Sequence, residues 1–154
     1  MSEPTLQQLF DLTGRVVLIT GGSGYLGSSF SRALAEAGAA VVVGSREQSR
    51  AQGVADKLPS PAGAVHHGVA LDQLDEESLN SGFDAAVETA GQIDILVNNG
   101  QQGHAMDLTD VTGEAFSKDL QNATGYFLLA RRLHDHLVDR QASGSIVMIG
   151  SMYG

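Results

Sequence analysis

Apolar residues along this chain fall into short unbroken runs, separated by longer stretches in which they recur every three or four positions. The runs are Arg15 to Thr20 (RVVLIT), Ala39 to Gly44 (AAVVVG), Ala64 to Leu71, Ile93 to Asn99 (IDILVNN) and Ile146 to Ile149. Runs of about four to eight aliphatic and β-branched residues, bounded by turn signals, predict strands buried on both faces. Between the first two, Leu26, Phe30, Ala33, Leu34 and Ala37 repeat at helical spacing, and Gly38 is a natural stop. A polar helix is predicted from Glu47 to Leu58, broken by Pro59 to Gly63. Leu79, Phe83, Val87 and Ala90 mark the next helix. It starts after Asp75, Glu76 and Glu77, where the helix dipole favours negative charge. A loop from Gly100 to Thr112 leads to a long helix with Phe116, Leu120, Ala123, Phe127 and Leu137 on one face.

Five strands thus alternate with four helices. That pattern predicts an α/β fold, a doubly wound parallel sheet of the Rossmann kind with right-handed crossovers. The 154 residues read as one domain, with no internal linker, charge block or repeat beyond the β-α alternation.

Charge changes the picture by exclusion. Eighteen acidic residues face nine basic ones, for a formal net charge of -9. A general nucleic-acid binder would carry a basic stripe instead, although a local basic site for a phosphate stays open. There is no Cys, so disulfides and thiolate metal sites are absent and a reducing compartment is compatible. The start MSEPTLQQLF is polar and acidic, not a signal peptide, and no apolar stretch is long enough to span a membrane. The expectation is a soluble cytoplasmic protein.

The candidate chemistry begins at TGGSGYLG, Thr20 to Gly27, which follows the first strand and opens a helix. This is the context of a dinucleotide-binding turn. Gly21 would make the tight turn, Gly24 would let backbone approach a pyrophosphate, and Gly27 would let the helix pack on the strand. The pyrophosphate would rest on free N–H groups at the helix N-terminus. The spacing is G-x-x-G-x-x-G rather than G-x-G-x-x-G, and the alternative is a tight structural βα turn. The second strand exits through Gly44, Ser45 and Arg46. NAD-specific sites place an acidic residue there for the ribose hydroxyls. A hydroxyl and a guanidinium suit a 2′-phosphate, which favours NADP, with NAD as the lesser choice. The alternative is a solvated Arg at a helix start.

Five features in order resemble the N-terminal part of a short-chain dehydrogenase/reductase: TGGSGYLG, Asp72 after the third strand, Asn98-Asn99 after the fourth, Asn122 in QNATGYFLLAR, and Ser151 after the fifth. The resemblance extends over essentially the whole chain. It implies a dinucleotide cradle made by Gly21, Ser23, Gly24, Tyr25, Leu26 and Gly27, with Ser45 and Arg46 at the 2′-phosphate. It puts Asp72 at the adenine amino group and Asn99 with Gly100 along the ribose. It gives Asn122 a water for proton relay and gives Ser151 the substrate carbonyl or hydroxyl. Read without it, Asp72 is a turn or cap residue, Asn98 and Asn99 satisfy backbone at a strand end, Asn122 is a polar helix residue and Ser151 a loop hydroxyl.

Two departures stand out. The family usually has Asn-Ala-Gly where this chain has Asn99-Gly100-Gln101, and a Gln there would crowd the site or read the substrate. Tyr25 stands where the commonest family pattern has Gly. The family's acid/base Tyr and the Lys four residues after it would lie beyond Gly154, since Tyr153 is too close to Ser151 and neither Lys57 nor Lys118 is suitably placed. The chain therefore reads as a dehydrogenase cut just after its Ser, with its Rossmann domain incomplete at the C-terminus. It would leave the fifth strand as an exposed apolar edge and favour self-association.

The implied activity is interconversion of a hydroxyl and a ketone on a small substrate, with sugar acids or polyols as the nearest class. These 154 residues alone are expected to be inactive. Alternatives are a nucleotide-binding or regulatory fragment, or the remnant of a disrupted gene. Members of the resembled family usually pair through the long helix and the one that follows it, of which only the first is present here, so the resemblance implies a dimer or tetramer at full length. No metal site is expected. His66 and His67 point to opposite sides of a strand, His134 and His136 do not share a helix face, and His104 is isolated.

Overall fold

The computed structural model describes residues 3–103 and 107–150. Five parallel strands make one sheet: β1 (Val16–Thr20), β2 (Ala40–Ser45), β3 (His67–Ala70), β4 (Ile95–Asn98) and β5 (Ser145–Met148), in the order β3-β2-β1-β4-β5. A short helix, α1 (Leu6–Leu9), precedes them. The crossovers are α2 (Tyr25–Glu36), α3 (Gln48–Ala55), α4 (Glu76–Ala90) and α5 (Gly113–Asp139). The α/β expectation holds, with two adjustments. The observed strands are shorter than the apolar runs at β3 and β4, and α1 is not among the expected helices: Leu6, Leu9 and Phe10 stand at helical spacing, but over barely one turn, and all three are exposed. The helix is instead held by a capping box between Thr5 and Gln8.

Alternation along β1 builds both cores. Val16 and Leu18 face one side with Val42, Leu96, Leu79 and Phe83 and with Leu129 and Leu133 of α5. Val17 and Ile19 face the other with Val41, Val43, Ala35 and Ala51. Because side chains on a strand alternate faces, a strand covered by helices on both sides must be apolar throughout. The sequence runs say the same. Helix α4 starts where the charges place it: Asp75 caps it by accepting from Ser78 N at 2.8 Å, and Gly91 closes it at φ 80°.

Two helices turn a different face inward from the one their large apolar residues predict. On α5 the buried positions are Asn122, Gly125, Leu129 and Leu133, while Phe116, Leu120 and Phe127 lie 57, 54 and 60% exposed. On α2 they are Gly27, Ser31 and Ala35, with Phe30 and Leu34 only partly buried. Small residues win these faces because the helices approach backbone closely. A Cβ on Gly125 would run into the backbone carbonyl of Gln73. Strand β5 is the sheet edge, and Ile146, Val147 and Met148 are exposed there, in line with the expected apolar edge.

Two histidines have structural roles. His136 Nε2 accepts from Ile93 N at 3.2 Å, and its ring meets Phe83 edge-on at 5.8 Å. Burial holds its pKa below the ordinary range, helped by Arg140 and Arg132 and opposed by Asp94 and Asp139. His66 Nδ1 accepts from Val41 N at 3.1 Å. Burial lowers it as well, with the Pro59 carbonyl pulling upward and His67 downward. Unfolded, both rings titrate near about 6.5. As pH falls through that value the unfolded chain takes up protons that the native rings still refuse. Stability is therefore full above the unfolded pKa, drops as pH falls toward the lowered native values, and levels off once the native rings protonate. The urea midpoint is expected to fall between about pH 7.5 and 5.5. A midpoint constant across that window would refute this account.

Candidate dinucleotide site

In an open parallel sheet, a crevice forms at the carboxyl ends of the strands where the strand order reverses. Here that point lies between β1 and β4, and the chain has a cavity of about 470 Å³ there. Its lining draws on the segments that leave all five strands, the last represented by Ile149 just past β5.

The β1–α2 turn supplies Thr20, Gly21, Ser23, Gly24, Tyr25, Leu26 and Gly27. Gly21 has φ 61°, a left-handed conformation that only glycine enters freely. Gly24 is the N-cap of α2, so the free N–H groups of that helix open toward the cavity. Gly27 is buried where α2 crosses the turn; a Cβ there would press on Gly21 O and lie 2.8 Å from both Asn99 Nδ2 and Gly22 Cα. Tyr25 is 91% exposed at the first position of α2, so its side chain leaves the turn itself unobstructed.

The β2–α3 segment supplies Ser45, Arg46, Glu47 and Arg50. Ser23 and Ser45 share a hydroxyl hydrogen bond of 3.0 Å, which ties this segment to the glycine turn. Arg50 NH2 reaches Ser23 O at 3.5 Å. Arg50 was not legible as a site residue, because nothing in sequence marks a helix position that faces back over the preceding loop.

The β3–α4 loop supplies Leu71, Asp72, Gln73 and Leu74. Asp72 has the turn role that its sequence position allowed. Its Oδ1 accepts from Leu74 N at 3.0 Å in a local turn, and the residue also lines the cavity. The β4–α5 loop supplies Asn99, Gly100, Gln101 and Gln102. Asn99 braces two strand ends: its Nδ2 donates to Thr20 O at 3.1 Å and Gly21 O at 3.2 Å, while Thr20 Oγ1 accepts from Asn99 N and Gly100 N. Asn98 is fully buried, and its Nδ2 donates to Tyr126 O at 3.2 Å, the backbone-satisfying role expected of it.

Asn122 sits behind the cavity wall. Its Oδ1 accepts from Gln73 Nε2 at 2.7 Å and Gln102 N at 3.0 Å, and its Nδ2 donates to Gln102 O and Asp119 O. Both amide donors and both acceptor positions are in use, so a water held at this point would have to bond another atom. Ser151, Tyr153 and His104 lie outside the described residues. No helix among the described residues is long and apolar enough to cross a membrane.

Comparison with known proteins agrees with this geometry. The family model described as short chain dehydrogenase matches residues 15–154. The 3-oxoacyl-acyl-carrier-protein reductase FabG of Aquifex aeolicus is 32% identical over 144 residues, a match covering 93% of this chain and 58% of that protein. The 2,5-dichloro-2,5-cyclohexadiene-1,4-diol dehydrogenase LinX of Sphingobium indicum is 33% identical, covering 93% of this chain and 57% of its own length. A crystal structure of a short-chain type dehydrogenase/reductase from Mycobacterium marinum superposes with a TM-score of 0.87 at 31% identity, over 97% of this chain and 60% of that one. The chain therefore spans less than two thirds of the length of these relatives. With the glycine turn, the switch-point cavity and the family match in agreement, the chain belongs to the short-chain dehydrogenase family.

Proposed function

We propose that this chain forms the dinucleotide-binding part of an NADP-preferring oxidoreductase that interconverts a hydroxyl and a ketone on a small substrate. The observation that carries the reading is the cation pair at the β2–α3 end of the cavity. Arg46 and Arg50 stand beside Ser45 and Ser23, where an NAD-specific site would carry a carboxylate to hold the ribose hydroxyls. Glu47 lines the same end and tempers, without cancelling, its positive charge.

The residues present suit the cofactor. The α2 N-terminus and the turn from Gly21 to Gly27 would take the pyrophosphate, Arg46 with Ser45 the 2′-phosphate, and Asp72, Asn99 and Gly100 the adenosine end. The nicotinamide, when bound, supplies or accepts the hydride. The chain's own part would be to bind and orient it: Gln101 would border the nicotinamide side, Asn122 fixes the wall there through Gln102, and Ser151 would hold the substrate oxygen. No Tyr in residues 1–154 precedes a Lys by four positions, so the polypeptide of these residues is expected to bind dinucleotide without turning over ketones. Sugar acids, polyols and similar small alcohols remain the favoured substrate class. The exposed Phe116, Leu120 and Phe127 on α5 support pairing of copies into a dimer or tetramer. The acidic balance and the absence of Cys support a cytoplasmic setting.

The test is titration with NADPH and NADH, followed by fluorescence. Arg46→Ala is expected to weaken NADPH about tenfold or more while sparing NADH, since a charge-assisted bond contributes about 1.5–3 kcal/mol. Equal loss for both nucleotides would remove the phosphate assignment. Binding of neither by the parent chain would favour the reading of a remnant without function.

A further inference from the structure

Position 100 is glycine in this chain, and the space its side chain would fill is taken. A Cβ on Gly100 would fall deep inside van der Waals contact of Gln73 Oε1 and 3.1 Å from Gly21 N. Neither side of the contact with Gln73 is free to move. Gly100 is fixed through its N–H to Thr20 Oγ1 at 2.9 Å, and its carbonyl accepts from Tyr126 Oη at 2.9 Å. Gln73 is 8% exposed, its Nε2 is spent on Asn122 Oδ1, and its backbone lies tight against Gly125 of α5. Its Oε1 is buried with no hydrogen-bond partner.

That orphan oxygen separates two explanations. An apolar side chain would fill the same space without burying an unpaired carbonyl, which costs stability. The amide instead joins what an apolar residue could not. Gln73 belongs to the β3–α4 wall of the cavity, Gly100 and Gln102 to the β4–α5 wall, and Asn122 bonds Gln73 and Gln102 through the same oxygen.

We propose that Gln73 and Gly100 are a matched pair that sets the spacing of the two cavity walls, with Gln73 acting through Asn122 as a positioning residue for the bound dinucleotide. This rests on the reading of the cavity as a dinucleotide site. It adds that residue 73, which no sequence motif marked, governs affinity there.

The experiment is a double-mutant cycle on the full 154-residue chain: Gly100→Ala, Gln73→Val and the double variant. Val ends at Cγ and so vacates the volume of the amide. NADPH affinity is read by fluorescence titration and Tm by circular dichroism without nucleotide. Gly100→Ala alone is expected to weaken NADPH about tenfold, and the same change in the Gln73→Val background to weaken it less than about threefold. Equal losses in both backgrounds would overturn the pairing. Coupling seen in Tm but not in affinity would reduce the pair to packing and overturn the positioning role. Failure of the parent chain itself to bind NADPH would instead overturn the dinucleotide reading on which the proposal stands.

Discussion

Replacing Gly27 by alanine is expected to remove measurable dinucleotide binding and to destabilise the fold. The added methyl group has no space: it presses on Gly21 O, Asn99 Nδ2 and Gly22 Cα at once, and two of these are backbone. Overpacking of this kind costs about 1–3 kcal/mol, sometimes more, as α2 is pushed off β1. The larger effect falls on the turn. Moving α2 displaces its N-terminal N–H groups and breaks the Asn99 brace between the ends of β1 and β4. Losing two charge-assisted hydrogen bonds to a phosphate, each about 1.5–3 kcal/mol, lowers affinity by about a hundredfold or more. Isothermal titration with NADPH checks it, and affinity within threefold of the parent would show that the turn tolerates a Cβ there. Alanine at Gly53, where a Cβ meets nothing within 4 Å, is the control that keeps both properties.

Removing the Asp94 carboxylate is expected to produce the largest loss of stability while leaving the site's chemistry alone. Asp94 is 1% exposed at the start of β4, at the opposite end of the sheet from the glycine turn. Its Oδ2 accepts from Val16 N and Gln92 Nε2, at 2.9 and 2.8 Å, and its Oδ1 takes Arg140 NH2 at 3.1 Å. One carboxylate thus ties β1, β4 and the residue that caps α5. Asp94→Ala leaves the buried Val16 N–H without its acceptor and strips the Arg140 guanidinium of its carboxylate, leaving it Ile93 O and Gln92 Oε1. Leaving a buried donor unsatisfied costs about 1–3 kcal/mol and losing a hydrogen bond to a charged group costs a further ~1.5–3 kcal/mol, together about 3–5 kcal/mol. For a chain of this size that lowers Tm by about 6–20 °C. Thermal unfolding checks it, and a shift of under about 2 °C would refute the assignment. Nucleotide affinity of the folded fraction should be unchanged, which separates this variant from Gly27→Ala. Asp94→Asn, which keeps an acceptor for Val16 N, should fall between parent and Asp94→Ala.

The two variants also mark what could be read from sequence. Gly27 was legible because a glycine at fixed spacing after an apolar run has few physical purposes, and close helix packing is one. Arg46 was legible as a cavity residue because it stands just past the second apolar run, where a β2–α3 segment must leave the sheet. Asp94 was invisible: a carboxylate inside an apolar run carries no local sign that a backbone N–H 78 residues away and an Arg 46 residues away will converge on it. Gln73 and Arg50 were missed for the same reason, since their importance lies in what other loops bring beside them.

The chain's order of apolar runs and helical periods determined by itself that it would form a parallel sheet wound on both faces, with its glycine turn at the end of the first strand. Those are consequences of periodicity and backbone freedom, which act between neighbours along the chain. Which face of α5 would be buried was decided only in three dimensions. Counting apolar side chains favours Phe116, Leu120 and Phe127, yet the fold buries Asn122, Gly125, Leu129 and Leu133. The close approach of α5 to the β3–α4 loop leaves room for a glycine and rewards an amide that can bond across the gap, as Asn122 does with Gln73. Such contacts join positions far apart in sequence, so they exist only once the sheet has brought those positions together.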